Sequence, residues 1–147
     1  MEILVKKFLL ASALFVLSAP AAFAAGNPWV GTWKPNHAKS NYVEVNGSLI
    51  ISTPSVGVMR WEYPAIKFAM EGKPDGSGMS IHMPSKPKGL VETVKLLTPT
   101  KLTYSVVIAG KLIKHGTDEL SADGKTLTAT SWIGKQSKKL IEVFDKQ

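Results

Sequence analysis

The chain of 147 residues contains no cysteine. That absence excludes disulfides, cysteine-ligated zinc or iron–sulfur centres, and a thiol nucleophile. Arginine is nearly absent as well: Arg60 is the one arginine among 18 basic residues. Phosphate and base readers rely on the guanidinium fork, so a net charge of +7 does not by itself indicate nucleic acid. His37, His82 and His115 stand far apart, without metal-ligand spacing. His115 shares strand parity with Ile113, which gives it a path inward; a surface or hydrogen-bonded histidine is the alternative. No serine sits in a G-x-S-x-G elbow. Gly124-Lys125-Thr126 looks like the end of a phosphate loop, but the position five residues before Gly124 is Glu119, where that loop needs glycine. Glu62, Glu92, Asp118, Glu119 and Glu142 are available for an acid pair, and their spacing singles out no two of them. The sequence therefore points to no catalytic residues, no metal site and no cofactor.

Long apolar runs are also lacking, with one exception. Residues 8–19 are almost wholly apolar, preceded by Lys6 and Lys7 and followed by Pro20 and Ala22-Phe23-Ala24. This is the three-part pattern of a secretory signal, predicting cleavage after Ala24 and a periplasmic or secreted product. Twelve helical residues reach about 18 Å, short of a hydrocarbon core of roughly 30 Å. Residues 25–147 then form one domain with 16 basic and 10 acidic residues, a net charge of +6. No later run is long enough to span a membrane as a helix. The excess charge predicts weak attraction to acidic envelope surfaces, and a monomer is expected.

What is present is a rhythm of short β segments. Leu102, Tyr104, Val106 and Ile108 alternate with Lys101, Thr103 and Ser105; Leu127, Ala129, Ser131 and Ile133 alternate with Thr126, Thr128, Thr130 and Trp132. Further strands are predicted at 29–34, 49–53, 58–63, 66–70, 79–83, 90–97, 111–120 and 137–145. Asn46-Gly47, Ala109-Gly110 and Asp123-Gly124 read as hairpin turns. Residues 72–78 and 84–89 read as irregular, glycine- and proline-rich loops. No helical periodicity competes. The fold class predicted is all-β, an antiparallel up-and-down barrel of about 8–10 strands.

Three segments carry a resemblance. Trp29-Val30-Gly31-Thr32-Trp33-Lys34 resembles the opening of the calycins, the superfamily of lipocalins, fatty-acid-binding proteins and avidins. Gly31-Thr32-Trp33-Lys34-Pro35-Asn36-His37-Ala38-Lys39-Ser40, Ser121-Ala122-Asp123-Gly124-Lys125-Thr126-Leu127-Thr128 and Val143-Phe144-Asp145-Lys146 together resemble exported bacterial lipocalin-like proteins of unknown function. The resemblance implies a barrel closed at one end by the tryptophan of the first strand. It also implies a basic side chain from a late strand over that tryptophan, with Lys138, Lys139 or Arg60 as candidates. Fatty-acid-binding proteins hold the ligand carboxylate with an arginine and a tyrosine on the last strand; Glu142 and Phe144 stand in the corresponding places here. Avidin-like biotin binding has no traceable residues.

Two functions follow as expectations. In the first, Trp33, Trp61, Tyr63, Phe68 and Tyr104 line a pocket for a small apolar or amphiphilic ligand, held non-covalently. In the second, these aromatics fill the barrel, and the loops 72–78 and 84–89 dock an envelope protein as an interaction or inhibitor module.

Overall fold

A computed structural model describes residues 26–147; the expected signal peptide, 1–24, lies outside the described residues. Eleven strands make one antiparallel sheet: β1 (Gly31–Pro35), β2 (Leu49–Ser55), β3 (Val58–Tyr63), β4 (Phe68–Gly72), β5 (Asp75–Gly78), β6 (Ser80–His82), β7 (Leu90–Thr98), β8 (Lys101–Ile108), β9 (Lys111–Leu120), β10 (Thr126–Ile133) and β11 (Leu140–Lys146). Their order is β5-β7-β8-β9-β10-β11-β1-β2-β3-β4-β6. One 3-10 turn, Pro64–Ile66, joins β3 to β4 and delays the strand predicted from residue 66 to Phe68.

The two ends of this order, β5 and β6, are consecutive in the chain. The segment 72–78, expected to be irregular, contains β5, which pairs with β7 through Asp75↔Lys95 and Gly78↔Thr93. After Met79 the same segment becomes β6 and pairs with β4 through Met70↔Ile81. Met79 itself donates its N–H to Glu92 O at 2.8 Å. One bent strand thus bridges both edges and brings the barrel close to full closure, removing exposed edges as an up-and-down barrel requires. Gly72, at the end of β4, lets the Met79 side chain pack against bare backbone, since a Cβ there would lie 2.5 Å from Met79 Sδ.

A second junction is completed by side chains. β1 pairs with β11 only from Trp33↔Lys146 to Pro35↔Phe144. Beyond Pro35 the loop 36–48 takes over the ladder: Asn36 N–H donates to Val143 O, and Asn41 and Tyr42 N–H both donate to Ile141 O. Ser40 Oγ accepts from Val143 N–H at 2.9 Å and Asn41 Oδ1 from Ile141 N–H at 2.7 Å. Hydroxyl and amide oxygens here replace strand carbonyls, as short polar side chains can. Asn46-Gly47, expected as a hairpin turn, instead lies at the far end of this loop, against the Pro64–Ile66 turn, where a Cβ on Gly47 would meet Ala65 Cβ at 2.8 Å. The predicted turn at Ala109-Gly110 is observed, both residues having positive φ (48° and 78°), the geometry that two-residue hairpins favour.

The core begins at the closed end. Trp33 is fully buried and donates its indole N–H to Trp29 O at 2.9 Å; Trp29 donates its own to Pro99 O at 2.8 Å. Lys146 Nζ lies 5.2 Å from the Trp33 ring centroid and donates to Pro28 O. The basic side chain over the first-strand tryptophan is therefore Lys146. Lys138 and Lys139 are exposed, and Arg60 pairs on the outer face with Glu62 and Glu71. Gly31 leaves room for this stack, since a Cβ would come within 2.7 Å of Lys146 Cε. Above it pack Leu49, Ile51, Met59, Trp61, Val94, Leu102, Leu120, Leu127 and Phe144.

Trp33→Ala should remove about 3–5 kcal/mol of stability in urea unfolding, by cavity formation and loss of the plug. Val56→Ala, at a fully exposed turn position, should stay within about 0.5 kcal/mol of the parent.

Candidate ligand cavity

Inside the barrel lies a cavity of about 180 Å³. Its floor is apolar: Leu49, Trp61, Met70, Val94, Leu102, Leu127 and Phe144. Tyr63 and Phe68 stand on its wall with ring centroids 6.3 Å apart. Tyr104 reaches across from β8 because its partner Gly116 has no side chain; a Cβ there would lie 2.9 Å from the Tyr104 hydroxyl. Four of the five expected pocket residues, Trp61, Tyr63, Phe68 and Tyr104, thus line one cavity. Trp33 does not line it, and lies beneath in the closed end.

Carboxyl groups join these aromatics. Along the hydrogen-bonded line Leu102↔Asp118↔Ala129↔Glu142, the two acids flank the same alanine. Two inward levels nearer the mouth, beyond Tyr104↔Gly116, Glu92↔Val106↔Lys114 repeats the arrangement with an acid and a base. The parity is that of the core: Glu92 faces the same way as Val94, Asp118 as Leu120, and Glu142 as Phe144. Glu44, in the loop 36–48, stands at the mouth, where its carboxylate pairs with Lys114 Nζ and its backbone N–H donates to Glu142 Oε1 at 3.1 Å. Lys114 Nζ also lies 5.7 Å from the Tyr42 ring centroid and 6.0 Å from that of Tyr104. Ala129 and Ser131, small residues on the strand between the acids, also line the cavity.

Burial dominates the electrostatics. Desolvation pushes the carboxyls of Glu92, Asp118 and Glu142 each up to about 7. The charge of Glu44 adds to the shift at all three, and Lys114 opposes it. Burial also raises the phenols of Tyr63 and Tyr104. Asp118 is enclosed by protein, the surface it keeps faces the cavity, and its Oδ1 is buried without a hydrogen-bond partner among the described residues.

Of the five acids available from the sequence, Glu92, Asp118 and Glu142 converge, whereas Glu62 pairs outside with Arg60 and Glu119 is exposed. Glu44 and Lys114 were not singled out by sequence; Lys114 is readable only as the position at Asp118 parity two periods of the alternation away. His115 takes its surface alternative, stacking on Trp132 on the outer face with centroids 5.4 Å apart. Among the described residues no cluster of histidines and carboxylates has the form of a metal site. Comparison with models of known protein families and with curated proteins gives no match.

The folded chain holds three carboxyl protons to higher pH than an unfolded chain would, so stability should fall as pH rises from about 4.5 towards 7 and level off above. Urea midpoints across that range check the slope. Asp118→Asn should be more stable than the parent by roughly 1–3 kcal/mol at about pH 8 and nearly equal to it at about pH 4.

Proposed function

We propose that this chain is an exported lipocalin-like barrel that binds a small apolar or amphiphilic molecule non-covalently. The observation that carries the reading is the cavity: a filled barrel would leave no such volume between Trp61, Tyr63, Phe68 and Tyr104. Interiors are normally packed with few voids larger than a water molecule, and about 180 Å³ is far above that size. The first-strand tryptophan plug, the Lys146 side chain above it and the three sequence segments that resemble lipocalin-like proteins support the same assignment. Export rests on the pattern of residues 1–24.

The cavity volume limits the ligand. An apolar cavity of about 150 Å³ in another protein accepts benzene, so one ring with a short substituent fits here, whereas a long acyl chain does not. Glu142 and Phe144 on β11 supply neither a cation nor a hydroxyl for a fatty-acid carboxylate.

Toluene at ten times its dissociation constant should raise the melting temperature by a few degrees, equivalent to about 1.4 kcal/mol. Ala129→Leu, which fills the space between Asp118 and Glu142, should abolish that rise while the protein remains folded. An unchanged melting temperature with saturating toluene would favour the interaction-module reading.

A further inference from the structure

The charge of the cavity is opposite to that of the protein around it. Residues 25–147 carry 16 basic and 10 acidic side chains, yet the cavity is lined by four of the acids, Glu44, Glu92, Asp118 and Glu142, and by one base, Lys114. The single ammonium is engaged at the mouth by Glu44 and lies near the rings of Tyr42 and Tyr104. Deeper in, Asp118 Oδ1 is buried with no partner among the described residues, which costs free energy that a donor in the cavity would recover. Asp118 and Glu142 lie one strand to either side of Ala129, so their Cα atoms are about 10 Å apart. Both acids and the Ala129 methyl between them line the cavity, where a group with several N–H donors can span them.

Resting on the reading above that the cavity takes a small molecule, we infer that its ligand is an organic cation: a protonated amine on a body the size of one aromatic ring, with the nitrogen between Asp118 and Glu142 and the body against Trp61, Tyr63 and Phe68. An ammonium supplies three donors and the opposite charge, turning buried acids from a desolvation cost into charge-assisted hydrogen bonds. The aromatic walls add attraction for a cation at ring faces. A carboxylate of the same shape meets like charges on three strands, and a neutral molecule leaves Asp118 without a charged partner. The inference separates this barrel from those that hold fatty acids, because the last-strand position facing the ligand is Glu142.

Three probes of one shape test it: phenethylamine, phenethyl alcohol and phenylacetate, measured by calorimetry with the full mature protein at about pH 8. The amine should bind about 10- to 100-fold more tightly than the alcohol, and phenylacetate more weakly than either. Asp118→Asn should lower amine affinity by about 10-fold while leaving alcohol affinity within about threefold. Equal affinities for amine and alcohol, tighter binding of phenylacetate, or an Asp118→Asn variant that keeps the amine preference would each overturn the cation and leave the cavity reading standing. Toluene binding without binding of any charged or hydroxylated probe would do the same. Should none of the four bind, the cavity reading itself fails, and the cation with it.

Discussion

A sheet that curls into a barrel must satisfy the backbone donors and acceptors of its first and last strands, and in this chain that requirement falls on two short stretches. At one, the segment 75–82 changes partners at Met79, so the same strand pairs with β7 and then with β4. At the other, Ser40 and Asn41 finish the ladder along β11 that β1 is too short to finish. Because both joints hold, the inward side chains of eleven strands face one another instead of water. The buried tryptophan floor, the raised carboxyls and the cavity all follow from that enclosure.

Enclosure also explains how an acid-lined interior survives. The closed end carries the apolar packing, with Trp29, Trp33, Leu127 and Phe144 nearly inaccessible. The acids sit above that layer, where neighbouring residues are small or absent in side chain: Ala129 between Asp118 and Glu142, Gly116 beneath Tyr104. Small residues that would weaken a solid core here create the volume in which the carboxyls lie. Holding acids in such surroundings works against folding stability, a pattern that suits a site shaped for a ligand better than one shaped for packing.

Much of the fold was legible because period-two alternation needs only one buried face. Leu102, Tyr104 and Val106, and likewise Leu127, Ala129 and Ser131, point inward as their spacing predicts, whereas Ile133 at the end of its strand is exposed. The residues of the opening motif also have visible work: Gly31 admits Lys146, Trp33 plugs the floor, Asn36 bonds Asp145, and Ser40 caps the β11 ladder. Less was legible in the site. Glu92, Asp118 and Glu142 occupy inward parity, but an acid at such a position reads as a break in the alternation until closure shows that nothing else covers it. The partner change at Met79 has no local signature, since Asp75-Gly76-Ser77-Gly78 is glycine-rich and exposed. A cavity depends on which small residues meet across strands, and Gly116 and Ala129 acquire that meaning only in register with Tyr104, Asp118 and Glu142.

The central claim is that three carboxyl groups lie inside the barrel, withdrawn from water by its walls. Carboxyl carbon-13 NMR across a pH titration measures this directly, residue by residue. The account predicts that Glu92, Asp118 and Glu142 titrate near 7, while Asp75 at the exposed start of β5 and Asp123 in the exposed turn after β9, each held by serine and backbone donors, titrate below the usual carboxylate range. Ordinary carboxylate titration of all three inner groups would contradict it.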